Sequence, residues 1–328
     1  MHFDVWMAIG SFLVAIVVGL TGMGGGALMT PMLMTFFGVP AITAISSDLV
    51  ASAVMKPIGS FVHLRRGTVN LKLVGWLCVG SIPSAFCGVL IVTRLLPDGD
   101  TTQNFLEKAM GVALLIAATG LIVRMYQAIR DKAQARSEEA RVTAEPGSPA
   151  SEAPPELKVK PVLTVLTGVI GGLIVGITSV GSGSLIIVAL LALYPMLKAN
   201  QLVGTDLFQA VPLVIAAAIG HILFGDFQLS VTAALLVGSI PGVYIGARIS
   251  SRAPGQLIRR ALAVVLLASA LKLFGVPTVI LAWTLLALII VAALSWVLLR
   301  RRAEDAGPAE TAGHAGPAEP AKNMDTNA

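Results

Sequence analysis

Apolar residues fall in long, nearly uncharged blocks along this chain instead of alternating with polar ones. Val74–Val92, Met110–Val123, Leu202–Leu223, Leu257–Leu273 and Val276–Leu299 are the clearest. A helix needs about 20 such residues to cross the hydrocarbon core of a bilayer. A helix on a soluble protein keeps one polar face. The pattern predicts a broken helical segment over Val5–Phe37, then helices over Ile42–His63, Leu71–Val92 and Phe105–Met125. It then repeats itself: a broken segment over Val162–Leu197, helices over Leu202–Leu223, Leu229–Ile249 and Leu257–Leu273, and one further span, Val276–Leu299. The expected fold is an all-α, polytopic integral membrane protein.

The repetition is also written in residues. Gly19-Leu20-Thr21-Gly22-Met23-Gly24-Gly25-Gly26-Ala27-Leu28 is echoed by Gly176-Ile177-Thr178-Ser179-Val180-Gly181-Ser182-Gly183-Ser184-Leu185. Farther on, Asp48-Leu49 recurs as Asp206-Leu207, His63 as His221, Gly67 as Gly225, Gly80-Ser81-Ile82-Pro83 as Gly238-Ser239-Ile240-Pro241, and Gly88 as Gly246. The offset grows by one residue between Leu28 and Asp48. An ordered series of this kind marks an internal duplication. Residues 1–128 form the first transmembrane repeat and 161–275 the second. Between them, 129–160 reads as a linker whose Ala/Glu/Pro/Ser-rich part, Arg136–Leu157, cannot bury enough apolar surface to fold. Residues 276–302 hold the extra span and 303–328 a tail of similar composition.

Composition agrees with the pattern: of 328 residues, 55% are hydrophobic and only 12% charged. That is about half the charge of a soluble domain. The net charge of +5 resides largely in short loops, so it orients the chain and does not point to nucleic acid. Arg65, Arg66 and Lys72 follow the second segment of repeat one, where repeat two has only Asp226. After the third segment the bias reverses: Arg248, Arg252, Arg259 and Arg260 stand against Asp98 and Asp100 beside Arg94. Equivalent loops are therefore expected on opposite sides, which makes the repeats inverted and the linker and C-terminal end cytoplasmic. This requires each broken first segment to be re-entrant, entering and leaving on one side. Cys78 and Cys87 lie in one span, about 13 Å apart along a helix, too far for a disulfide. The start, Met1-His2-Phe3-Asp4, lacks a basic region, so Ile9–Leu20 is expected in the mature fold.

Candidate chemistry gathers at the breaks. Helix interrupted by Gly24, Gly25 and Gly26, and by Thr178, Ser179, Ser182 and Ser184, frees backbone groups that a membrane tolerates only against protein or a watery cavity. Half-helix N-termini there would turn N–H groups toward an anion. Close helix packing through small residues is the other reading, and the better one for Gly168 and Gly172. Asp48 and Asp206 are intramembrane acids, fit for gating or proton coupling or simply for capping their helices. His63 and His221 either share that role or satisfy terminal carbonyls. Lys56, two turns past Asp48, either pairs with an acid or meets an anionic substrate. Gly22-x-Gly24-x-x-Ala27 imitates a dinucleotide fingerprint but lacks the βαβ context that motif needs. The chain carries no nucleotide, metal or other cofactor motif and no expected catalytic residue.

Together the duplicated glycine-rich segments, Ser47-Asp48-Leu49 with Thr205-Asp206-Leu207, His63-x-x-x-Gly67 with His221-x-x-x-Gly225, and the two Gly-Ser-Ile-Pro strings resemble the TauE/SafE (TSUP) group of sulfite exporters. The resemblance covers about residues 5–275. It implies a multi-pass inner-membrane protein that moves sulfur-containing oxyanions such as sulfite or organosulfonates. The expected function is secondary transport of such a small anion by alternating access. The alternatives are a passive anion channel and an intramembrane hydrolase using Ser182 or Ser184 with His221. The expected partners are that anion and the lipid bilayer, with no nucleic acid.

Overall fold

The structure, a computed structural model, describes residues 4–21, 25–65, 67–97, 99–144, 159–181, 183, 185–197, 199–250, 255–277, 279–280 and 283. The chain divides after Val276, with Met1–Val276 as one unit and a second beginning at Pro277. The fold below is that of the first unit. The expected last span, nearly all of it, and the tail lie outside the described residues.

All secondary structure among these residues is helical. α1 (Val5–Thr21) and α2 (Gly26–Phe37) are followed by α3 (Ala41–Arg65), α4 (Leu71–Leu90) with a π-helical turn at Ile91–Leu95, and α5 (Asp100–Ala144). α6 (Pro161–Thr178) and α7 (Leu185–Leu193) precede α8 (Ala199–Phe224), α9 (Leu229–Ser250) and α10 (Gly255–Leu273). Five described stretches are long and apolar enough to cross a bilayer: Leu71–Leu95, Asp100–Val123, Pro161–Thr178, Gln201–Phe224 and Leu229–Gly246. The chain is a polytopic membrane protein.

Local chemistry sets the helix ends. Asp4 accepts the backbone N–H groups of Trp6 and Met7 at 2.9 and 3.3 Å and caps α1, as an N-terminal acid does. Asn70 caps α4 by accepting the Leu73 N–H at 3.2 Å. Pro161, whose missing N–H has no partner to lose, opens α6. α2 ends at Gly38, φ +62°, with Val39 donating its N–H back to the Leu33 carbonyl at 3.1 Å. The left-handed glycine turns the chain off the helix so that this N–H group reaches back to one of its last carbonyls. One end falls beyond expectation. α5 runs to Ala144, well past Met125 and into the segment expected as linker. Lys132-Ala133-Gln134-Ala135-Arg136 is built of good helix formers, and they favour continuing the helix after the apolar run has ended. Residues 145–158 of that linker lie outside the described ones.

Both broken segments double back. Gly10 of α1 lies against Met32 and Phe37 of α2. In a continuous helix residues 10 and 37 would stand about 40 Å apart. In the second repeat the Tyr194 hydroxyl, just past α7, accepts the Lys160 N–H at 2.8 Å and lies 2.6 Å from Thr164 Oγ1 at the start of α6. Each hairpin thus has both feet at one end.

The repeats interlock by exchange. α1 packs lengthwise on α9, and α6 on α4. The seams are lined by small residues four apart: Gly238, Gly242 and Gly246 of α9 meet Ala8, Ser11, Phe12, Ala15 and Ile16 of α1. Gly168, Gly172 and Gly176 of α6 meet Leu77, Ser81 and Ala85 of α4. A Cβ at Gly176 would stand 2.1 Å from the Ala85 carbonyl oxygen and one at Gly238 2.0 Å from that of Ala8. Backbones this close are how membrane helices associate without a hydrophobic drive. The equivalent helices α3 and α8 pair antiparallel: Thr43 Oγ1 donates to Asp226, Ser46 meets His221, and Gly204 abuts Thr68.

Candidate functional site

The two hairpin tips meet each other. Gly26 opens α2 against the backbone of Ser179, which closes α6; a Cβ on Gly26 would lie 2.1 Å from the Ser179 carbonyl oxygen. Ser179 is left-handed, φ 61°, and is the described non-glycine residue with positive φ. Its equivalent in repeat one is Gly22, the residue such a turn favours. A serine here costs backbone strain, and its hydroxyl supplies the compensation: it donates to Asp48 Oδ2. Thr30 of α2 donates to the same oxygen at 3.2 Å. One carboxylate therefore ties α3 to the tips of both hairpins.

Asp48 is fully buried and lies in the third turn of α3; Asp206 holds the same place in α8. Neither is at a helix start, so the capping reading does not describe them. A cap must reach N–H groups of the first turn. Asp206 accepts from Gln209 Nε2 at 3.4 Å, and Gln209 Oε1 accepts from Ser81 Oγ of α4 at 3.3 Å. Lys56 is buried at 8% exposure and feels the negative charges of both Asp48 and Asp206. The antiparallel register of α3 and α8 places it between the two acids along the helix pair.

His221, completely buried, has both ring nitrogens engaged. Nδ1 lies 2.8 Å from Ser46 Oγ of α3 and Nε2 3.0 Å from the Gly176 carbonyl of α6. It satisfies a terminal carbonyl, as sequence allowed, but on a neighbouring helix. The Thr178 hydroxyl is taken up locally, donating to the Ile174 carbonyl at 2.7 Å and accepting the Val180 N–H at 3.2 Å. Gly25 is buried beside Asp48 Oδ1, Met29 and Met55. Gly24, Ser182, Ser184 and the His63 side chain lie outside the described residues. Thr30, Gln209, Ser81 and Ser46 are site residues that the sequence reading missed. The signals for them were a hydroxyl one turn into α2, an amide three residues after Asp206 and, for Ser81, its place in the duplicated Gly-Ser-Ile-Pro string.

Near this centre, a cavity of about 660 Å³ opens at the end of the bundle where α3 begins and α8 ends. Asp100, Glu107 and Asp226 line it, with Thr93 and Gln103. Acidic loops of both repeats therefore share one end.

Buried charges between crossed hairpins, inside a bundle of bilayer-length helices, define a membrane transport protein. The chain matches the family model "Sulfite exporter TauE/SafE" over residues 7–273, and it belongs to that family. It is 38% identical over 260 residues to "Probable membrane transporter protein YjnA" of Bacillus subtilis (strain 168), covering 79% of this chain and 95% of that protein. It is 25% identical over 255 residues to "Probable membrane transporter protein YdhB" of the same organism, 76% and 92% of the two chains. A "Probable membrane transporter protein" of Xylella fastidiosa (strain Temecula1 / ATCC 700964) matches over 111 residues at 29% identity, 34% and 41% of the chains. No solved structure gave a significant match. The family is one of transporters, not enzymes.

Proposed function

We propose that this protein is a secondary transporter that exports a small, sulfur-containing oxyanion by alternating access. The observation that carries this reading is Lys56, a buried cation set between two acids beside the meeting point of the hairpins. A charge at that depth is expensive, and ionisable groups inside a span commonly line a substrate or ion path. Gly24, Gly25, Gly26, Thr178, Ser179, Ser182, Ser184 and Lys56 contact the anion in this reading; Asp48, Asp206, His63 and His221 gate or couple its movement. The antiparallel pairing of α3 with α8 and the exchanged seams support inverted repeats, whose relative movement would expose the centre to each side in turn. The positive-inside rule then puts the linker and C-terminal end in the cytoplasm of a bacterial or archaeal cell, and the acidic mouth outside. An acidic exit lowers the local concentration of anions and disfavours their return.

Two measurements test this. Purified protein in vesicles is expected to carry sulfite, with thiosulfate, sulfate, sulfoacetate, taurine and carboxylates as the comparison panel. Failure with every sulfur anion removes the substrate reading. Saturable counterflow identifies a carrier, and currents far above carrier turnover identify a channel. Topology reporters placed after Arg66 and after Phe227 are expected on opposite sides of the membrane; both on one side would overturn the inverted arrangement.

A further inference from the structure

The two halves of the centre are not equivalent, and the difference lies at one position. In the second repeat Gln209 bridges Asp206 and Ser81, taking 3.4 and 3.3 Å hydrogen bonds to them. Exchanging the repeats gives the equivalents Asp48 and Ala51 of the first repeat, with alanine in place of the glutamine, and Ser239 of the second. An alanine cannot bridge. Accordingly Asp48 Oδ1 and Ser239 Oγ are buried with no hydrogen-bond partner among the described residues, as are Ser47 Oγ and Ser52 Oγ. Buried polar atoms are nearly always paired, and these four, three on α3 and one on α9 at the position equivalent to Ser81, need an explanation. The other oxygen of Asp48 is occupied by Ser179 and Thr30. The open one lies beside Gly25, which Met29 and Met55 also adjoin, and methionine side chains are flexible.

We propose that this half-site binds the transported anion, and that it selects an oxyanion carrying a hydroxyl group, such as hydrogen sulfite, over a sulfonate of the same charge. Its inventory is one unpaired acceptor with several unpaired donors. Asp48 Oδ1 accepts the hydroxyl of the anion, serine hydroxyls donate to its bare oxygens, and Lys56 offsets the charge farther along α3. A sulfonate has only acceptor oxygens and leaves Asp48 Oδ1 facing another negative group. The inference rests on the anion-transport reading and narrows it. The mirror half-site is closed to the same ligand because Gln209 already fills it.

The test compares hydrogen sulfite and dihydrogen phosphate with methanesulfonate as competitors of anion uptake in vesicles. The hydroxyl-bearing anions are expected to compete at least ten-fold better than methanesulfonate. Ser239→Ala is expected to raise KM for sulfite about ten-fold, the worth of one hydrogen bond to the substrate, without lowering Tm, since that hydroxyl has no partner among the described residues. Ser81→Ala, which breaks the Gln209 bridge, is expected to lower Tm instead. Asp48→Asn replaces the acceptor with a donor and is expected to shift preference toward methanesulfonate. Equal competition by methanesulfonate, or an unchanged KM in Ser239→Ala, overturns the half-site while leaving anion transport standing. Absence of any anion flux in the wild-type protein overturns both.

Discussion

Gly26→Ala is expected to lower transport at least ten-fold and to reduce Tm by several degrees. The added Cβ would lie 2.1 Å from the Ser179 carbonyl oxygen and 2.7 Å from its hydroxyl oxygen. Both the methyl and the carbonyl it meets are fixed to backbone, so no rotamer relieves the clash; the hairpin tips must part. Forced overpacking of this kind costs about 1–3 kcal/mol. It acts at the point where Ser179 reaches Asp48, so the same displacement pulls the donor from the carboxylate. Gly75→Ala in α4 is the control. Nothing lies within 4 Å of a Cβ added there, and alanine is the better helix former; transport should persist and stability hold or rise. Wild-type flux and Tm in Gly26→Ala would mean that the tips do not meet in the working protein.

Why this contact was only half legible follows from the kind of information each residue carries. The breaks stood out because glycines and hydroxyls interrupt apolar helix, and the duplication because glycine, aspartate and proline recur in order. Those residues answer to local backbone demands, which sequence spacing reports directly. The packing reading of Gly168 and Gly172 agrees with their place against α4; the glycines of α9 were legible only as repeat matches, and neither seam's partner helix was. Asp48 and Asp206 were legible as a pair, yet the capping reading of them misjudged what an acid in the third helical turn can reach. Thr30, Gln209 and Ser46 left almost no trace. Each acts by bonding across helices far apart in the chain, and nothing nearby in sequence sets a threonine or glutamine apart when its partner comes from elsewhere. The asymmetry at Ala51 and Gln209 was open to view in the aligned repeats. Its meaning needed the Gln209 bridge to be seen in the structure. The helical run of α5 to Ala144 shows the reverse limit: composition marks where the apolar run ends, while helix propensity favours a helix that continues past it.

Lys56→Met is expected to lower anion transport about ten- to a hundred-fold, the worth of a hydrogen bond to a charged partner. Methionine keeps most of the length and apolar volume of the lysine stem, so the substitution removes charge with little loss of packing. Two roles for Lys56 predict different rescue. If it serves only to balance Asp48 and Asp206, whose charges it feels, its removal leaves buried acids unbalanced, a loss of about 3–5 kcal/mol for a broken buried pair. Neutralising one acid should then restore both Tm and transport, and Lys56→Met with Asp206→Asn would behave like the wild type. If Lys56 also meets the anion, the double variant should recover Tm and remain poor at transport, because it still lacks the cation that meets the anion. Lys56→Arg, which retains charge but presents a planar, bulkier head, should transport better than Lys56→Met and still fall short of lysine. Full recovery of sulfite flux in the double variant would assign Lys56 to the acids alone and move the anion path away from α3.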